Sequence, residues 1–398
     1  MLRFCTRLPH YNSVSPIPLR QLSQRQLQST VSAQPGSSGW HVSPTNRAVS
    51  RWLYGSAAVV GCVIVVGGIT RLTESGLSMV DWKPVTGVRP PLTDNEWEAE
   101  FEKYQKFPEF KQRNTMTLEE FKFIFFWEWA HRVLARGVGV IYGIPLLYFM
   151  ARGRFGAQSG LAVALVGVLA LGGVQGAVGW YMVRSGLDPR LLDEGRKATV
   201  SAYRLATHLV LAFTIYSSLV RIAFGLQMPH MDTFKGKGAV QCGARLCFLV
   251  VLFTAISGAF VAGLDAGLMY NDEFPWMCGG VVPPREHLVV VQPWWRNALE
   301  NPAAAQTWHR VMAGLSTVSI MGLNAVCAHR WTALPLVLRH GMVVVNGALI
   351  VQVSLGVWTI VSYVETPVAA SHQLGSLLLL TAIIRVCALL GSRGVCLT

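Results

Sequence analysis

Among the ten histidines of this chain, His131, His208, His309 and His372 stand at the beginnings of alternate apolar stretches, while His10, His41, His230, His287, His329 and His340 fall in tails or connecting segments. An imidazole at membrane depth is costly unless it is paired or ligated, so its default reading is functional. Neutral imidazoles from two facing helices hold a haem iron axially, one on each face of the ring. Zinc or a di-metal centre would call for further carboxylates or thiolates, and none recurs at matching places beside these histidines. The spacing therefore supports two bis-histidine haem sites, His131 facing His208 and His309 facing His372.

The two sites differ just before their first histidine: Glu128-Trp129-Ala130-His131 in one is answered by Gln306-Thr307-Trp308-His309 in the other. Residues three apart on a helix share a face. The Glu128 carboxyl would thus touch the edge of the first haem only, or else it caps and solvates the top of its helix. One site looks equipped for chemistry and the other for holding an electron. Arg132 and Arg310 directly follow their histidines. Their guanidinium forks would suit haem propionates near the outer surface, or would snorkel to water as arginines at membrane boundaries do.

Such residues need a scaffold, and the composition names its solvent. Of 398 residues 52% are apolar and only 14% charged, against about 25% charged in soluble domains. That excludes an ordinary soluble enzyme. Apolar stretches run over about Trp52–Ile69, Val133–Met150, Leu161–Val183, Leu205–Ile222, Leu246–Leu264, Val311–Ala328, Val343–Val361 and Val368–Leu390, each near the ~20 residues a bilayer requires. Amides in hydrocarbon must bond internally, so without barrel alternation these are helices.

The halves repeat. Val174-Gln175-x-x-Val178-Gly179 recurs as Val351-Gln352-x-x-Leu355-Gly356, Ala206-Thr207-His208 as Ala370-Ser371-His372, and Glu74-x-Gly76-Leu77 as Asp265-x-Gly267-Leu268. The expected fold is an all-α membrane protein of eight transmembrane helices, arranged as two four-helix bundles related by a pseudo-twofold axis along the membrane normal. The expected divisions are 1–45, a leader or tail; 46–230, the first half with a long outer loop over 70–122; and 231–398, the second half. Gly172-x-x-x-Gly176 has the form of a close helix-packing motif.

Short loops carrying Arg152 and Arg154, Lys235, Lys237 and Arg245, and Arg330 and Arg339 are basic, with only Asp232 against them. Basic loops stay on the inner side, which puts both termini there. The loop from Thr73 to Lys122 instead holds ten acids against seven bases. In it, Thr93 with Glu96 and Thr117 with Glu120 have capping-box spacing, followed by Trp97, Phe101 and Tyr104 at helical intervals, which predicts an interfacial helix on the outer face. Before residue 46 the chain is rich in Arg, Ser and Gln, and its first acid is Glu74. That reads as a mitochondrial transit peptide, or a disordered basic tail, and puts the termini in the matrix. Of the net charge of +13, six positive charges lie within residues 1–51 and the remaining +7 is scattered along the chain without gathering on one face, so no nucleic-acid partner is expected. Eight single cysteines without zinc or redox spacing predict no disulfide framework.

The residues now singled out carry a resemblance: Gly67-Gly68-Ile69-Thr70-Arg71-Leu72-Thr73-Glu74-Ser75-Gly76-Leu77-Ser78, Glu128-x-x-His131-Arg132, Gly179-Trp180-Tyr181-Met182-Val183, Tyr203-Arg204-Leu205-Ala206-x-His208, Ser257-Gly258-Ala259-Phe260-Val261-Ala262-Gly263-Leu264-Asp265-Ala266-Gly267 and Ala370-Ser371-His372-Gln373. From about residue 50 to the end the chain resembles the mitochondrial haem A synthases. It departs in the Asp272–Gln292 region, and it lacks the paired cysteines that some bacterial relatives carry in the first outer loop.

The resemblance implies a multi-pass enzyme of the mitochondrial inner membrane that oxidises the C8 methyl of haem O to the formyl group of haem A for cytochrome c oxidase. It implies that His131 and His208 bracket haem O, with Glu128 near the methyl, and that His309 and His372 hold a resident haem b. It further implies a matrix ferredoxin as electron donor and, as partners, haem O synthase, cytochrome c oxidase assembly factors, membrane lipid and a second copy of the chain. Bis-histidine ligation leaves iron no open position, so either a histidine releases or oxidation proceeds by electron transfer alone. Two other classes compete. A di-haem b-type electron carrier would set its haems at two depths, whereas all four histidines are expected on one side. A duplicated proton-relaying transporter would be colourless and would need the intramembrane carboxylates that are lacking here.

Overall fold

The computed structural model describes residues 42–391, apart from 84–85, 114, 156–159, 194, 196, 229–230 and 232–233. The leader reading of 1–45 lies almost wholly outside these residues, as do His10, His41, His230, Asp232, Cys5 and Cys396. Among the described residues, eight helices are long and apolar enough to cross a membrane. They are α1 (Pro44–Leu72), α4 (Leu118–Ala151), α5 (Gly160–Gly186), α6 (Ala202–Gln227), α7 (Lys237–Gly263), α8 (Pro302–Ala328), α9 (Leu336–Val361) and α10 (Thr366–Leu390). All eight expected spans are present, and α4 begins fifteen residues before its apolar stretch because Thr117 and Glu120 close a reciprocal capping box. Outside them lie α2 (Asp94–Gln105) and α3 (Pro108–Arg113) in the long loop between α1 and α4. The start of α2 is capped by the Thr93 hydroxyl, which accepts from the Glu96 amide.

Packing sorts the spans into two rings with one pattern. In the first half α1 packs on α4 and α6, and α5 packs on α6, while α4 and α5 barely touch; in the second half α7 packs on α8 and α10, and α9 packs on α10, while α8 and α9 barely touch. The central helices α1, α6, α7 and α10 also pack across the halves, joined by Tyr216 Oη and Thr381 Oγ1 at 2.8 Å and by Gln373 Nε2 donating to the Ile64 carbonyl at 3.1 Å. Buried Leu219, Leu377, Leu380 and Ile383 fill this centre. Among the described residues, the loosely packed sides are tied by side-chain bonds toward the ends away from the histidines, where Tyr142 Oη donates to the Leu165 carbonyl at 2.8 Å and Asn324 pairs with Asn346. Above those ties the Gly172-x-x-x-Gly176 face meets nothing within 4 Å of the places its side chains would occupy. That motif packs no helix against it here. The six described cysteines are free thiols.

Candidate haem sites at the outer end of each half

Each of the four histidines rests against a glycine of a neighbouring helix. A methyl built on Gly67 would stand 2.7 Å from Cε1 of His131, one on Gly179 2.9 Å from Cε1 of His208, one on Gly258 3.1 Å from Cε1 of His309, and one on Gly356 2.9 Å from Cε1 of His372. Carbon atoms prefer about 3.5–4.0 Å, so glycine alone leaves the rings in place. Sequence reading singled out the histidines and missed the glycines' role. The signal was available, since Gly179 and Gly356 end the same repeated Val-Gln-x-x-Val/Leu-Gly segment.

His131 on α4 and His208 on α6 sit on diagonal helices of the first ring, and His309 on α8 and His372 on α10 on diagonal helices of the second. The rings are held differently. Nδ1 of His309 is 2.8 Å from the Ser257 hydroxyl, while the buried Nδ1 atoms of His131, His208 and His372 have no side-chain hydrogen-bond partner. Val66 stands in the first half where Ser257 stands in the second.

Glu128, 2% exposed, points its carboxylate at the outer loop. It accepts from the Ser78 hydroxyl at 2.7 Å, the Met79 amide at 2.6 Å and Arg132 Nη2 at 2.6 Å. Arg132 also donates to the carbonyls of Met79 and Asp81. Gln306 clamps the matching loop with the opposite polarity, its Nε2 donating to the carbonyls of Ala266 at 3.1 Å and Met269 at 2.6 Å. An amide gives Arg310 no charge partner. Arg310 donates to the Pro275 carbonyl and stacks 5.3 Å over Phe274, and its Nε and Nη2 are buried without partners. One substitution between the repeats thus leaves one arginine neutralised and the other available.

Above the sites a charge cluster joins the halves. Glu74 and Asp265, the matching acids of the two repeats, both hold left-handed backbone, at φ 49° and 52°. Arg71 donates to Asp265 at 2.8 Å, Lys197 bridges Glu74 and Asp265 at 3.0 and 3.2 Å, and Arg113 pairs with Glu74. Arg113 also lies 3.5 Å from Glu109, a buried carboxyl that the Tyr104 hydroxyl reaches at 3.1 Å. Burial pushes Glu109 up to about 7, with Arg113 and the Tyr104 bond pulling it back.

Residues 50–384 match the cytochrome oxidase assembly protein family, COX15-CtaA. The chain belongs to that family. It is 40% identical to a heme A synthase-mitochondrial ferredoxin fusion protein of Schizosaccharomyces pombe, over 90% of this chain and 62% of the fusion. It is 43% identical to a heme A synthase of Rhizobium leguminosarum, over 83% of this chain and 86% of that protein, and 41% identical to one of Rhodospirillum centenum, over 88% and 90%. The family match spans both histidine couples, their four glycines, Glu128 and Gln306.

For a family member the donor set can be tested against haem. Among the described residues no three His, Cys, Asp or Glu side chains gather as a metal-binding group. Two imidazoles per half suit an iron that arrives with four ring nitrogens and needs only axial ligands. The glycine cradles and the unpartnered Nε and Nη2 of Arg310, one residue beyond His309, fit a porphyrin with its propionates toward the outer face.

Proposed function

We infer that this protein is a haem A synthase, a haem-dependent oxidoreductase that converts the C8 methyl of haem O to the formyl group of haem A. The observation that carries the reading is a duplicated histidine–glycine cradle whose copies differ at Glu128 and Gln306. In our proposal the substrate haem O lies between His131 and His208, in the half spanning 46–230, and a resident haem b lies between His309 and His372, in the half spanning 231–398. The bound haem supplies reversible electron transfer at iron. The rest is done by the chain. The Ser257 hydroxyl fixes the His309 ring, which suits a ligand that stays. Val66 offers His131 no such hydroxyl, and this difference beside the first ligand of each couple separates the two sites.

We assign Glu128 as the carboxylate that would take up a proton released as electrons are removed from the methyl of the bound haem. Its carboxylate is one arm of the Arg132 bond, so taking a proton there loosens Arg132 and the 79–81 segment both residues hold, coupling proton transfer to the outer loop. We assign the protein to the mitochondrial inner membrane with both termini in the matrix, on the basic-loop pattern and the Arg-rich leader. A ferredoxin-type electron donor is supported by the fused relative in fission yeast. Haem O synthase, cytochrome c oxidase assembly factors and a second copy of the chain remain the proposed partners.

A di-haem electron carrier is the other reading, and the matched depth of the couples counts against it: His208, His309 and His372 all lie within the first eight residues of their helices. The test is a pigment analysis with a spectrum. The wild-type protein should show a reduced-minus-oxidised b-type band, and Glu128→Gln should keep that band while haem O accumulates in extracts. Unchanged haem A in Glu128→Gln would remove Glu128 from the chemistry. A colourless wild-type protein would sink the haem reading altogether.

A further inference from the structure

A cavity of about 1510 Å³ opens at the outer end of the first half, between the 79–82 segment, the end of α5, the start of α6 and part of the second half. Most cations on its wall are already paired: Arg132 with Glu128, Arg190 with Asp188, Lys197 with Glu74 and Asp265, and Arg296 with Glu300. Arg184 and Arg204 face the same cavity, and among the described residues neither has a carboxylate partner. Both heads are nonetheless held in place. Arg204 stacks 4.8 Å over the Tyr181 ring and donates to the Ser185 hydroxyl at 2.6 Å, and Arg184 stacks 5.7 Å over Trp180.

The second half supplies an internal control. Counted from the paired glycines, Arg184 corresponds to Val361; counted from the paired histidines, Arg204 corresponds to Val368. The second half instead has Arg310, whose buried Nε and Nη2 are unpartnered, where the first half has Arg132 bound to Glu128. The free guanidinium has therefore changed place between the repeats, from a buried position beside the axial histidine to two positions on the wall of an open cavity. Snorkelling accounts for an arginine near a membrane boundary, but not for this exchange.

We propose that Arg184 and Arg204 form a carboxylate-binding pair that selects, for the first half alone, an exchanging planar tetrapyrrole with two free carboxylates. This rests on the reading of the first half as the substrate site. Arg204 lies one turn before His208, about 6 Å along the helix, so a ring ligated there would carry its acid side chains outward to the pair. Planar guanidinium forks pre-ordered on aromatic rings suit carboxylates that must be captured and then released.

The experiment titrates the purified full-length protein, resident haem in place, with iron mesoporphyrin and with its dimethyl ester, following axial ligation by absorbance. The wild type should prefer the free acid by about tenfold or more. The Arg184→Leu/Arg204→Leu double variant should lose that preference while binding the ester as the wild type does and keeping its b-type band, and the double lysine variant should recover part of it. A wild type indifferent to esterification, or a leucine variant that keeps the preference, overturns the proposal. His131→Ala separates the two readings: if it leaves both titrations intact, the substrate-site assignment falls, whereas a retained preference in the leucine variant removes only the arginine pair.

Discussion

At the scale of single residues, the four cradle glycines are the strongest constraint on what the histidines can do. Alanine favours a helix over glycine by about 1 kcal/mol, so Gly356→Ala is expected to leave α9 intact or firmer. Its new methyl would nevertheless stand 2.9 Å from Cε1 of His372, too close for the ring to keep its place. The expected result is a weakened or lost b-type band with unchanged far-ultraviolet circular dichroism. Gly347→Ala on the same helix meets nothing within 4 Å and should leave the band alone. Equal behaviour of the two variants would show that the cradle does not position the ligand. Glu128 and Gln306 show the other residue-scale lesson, because one carboxyl-to-amide difference decides whether the following arginine is neutralised or available.

Among the elements, the first outer loop is the one whose stability should depend on pH. Its α2 and α3 pack Trp97, Phe101 and Phe110 around buried Tyr104, Phe121 and Phe125 of the loop and α4, and Glu109 sits in that seam with Tyr104 and Arg113 as contacts and Glu74 and Glu128 as nearby like charges. Burial raises Glu109 to about 7 in the folded loop, above its unfolded value. The stabilisation is therefore complete below the ordinary carboxylate range and is lost as pH rises through about 7. The protection of α2 and α3 against hydrogen exchange, each rate taken relative to the intrinsic base-catalysed rate at the same pH, should fall between pH 5 and 8 in the wild type, and Glu109→Gln, neutral at every pH, should flatten that fall. Wild-type protection that stays constant over this range would contradict the burial of this carboxyl. The capping box at Thr117 is what carries α4 up into this loop, so the element that bears His131 and Glu128 is also the wall against which the loop docks.

For the whole molecule, the join between halves is mostly apolar along the spans, with the Tyr216–Thr381 and Gln373–Ile64 bonds set into it, and ionic at the end that carries Glu74 and Asp265. Arg71 on α1 is 12% exposed at its side chain and depends on Asp265, just past α7, for its charge partner. Asp265 holds left-handed backbone at φ 52°, a conformation Asp tolerates better than Ala. Asp265→Ala loses the ion pair and keeps the backbone cost, so a loss of about 1–2 kcal/mol is expected. Asp265→Gly loses the pair but relieves the backbone and should melt, in detergent, above Asp265→Ala. The reverse order would show that the backbone conformation costs nothing here. The split into two rings follows from the repeat: matched sequences pack in matched ways, and the central four helices bury their faces against each other while the outer four leave the sides beside the histidines loosely closed.

Much of this was written in the chain. Hydropathy fixed eight helices because a backbone in hydrocarbon has no other way to satisfy its amides, and the Thr117 and Glu120 spacing marked where α4 begins because a capping box is a local bond. The repeat placed one histidine on every second span by position alone. What needed tertiary structure was every pairing between distant segments. Gly67 meets His131 from another helix, Glu128 turns to Ser78 and Met79 of the loop, Arg310 is left without a charge partner, and the Gly172-x-x-x-Gly176 face meets nothing within 4 Å. Local spacing records which side of a helix a residue is on, but the partner on that side is chosen by how whole helices pack, and only the folded chain holds that information.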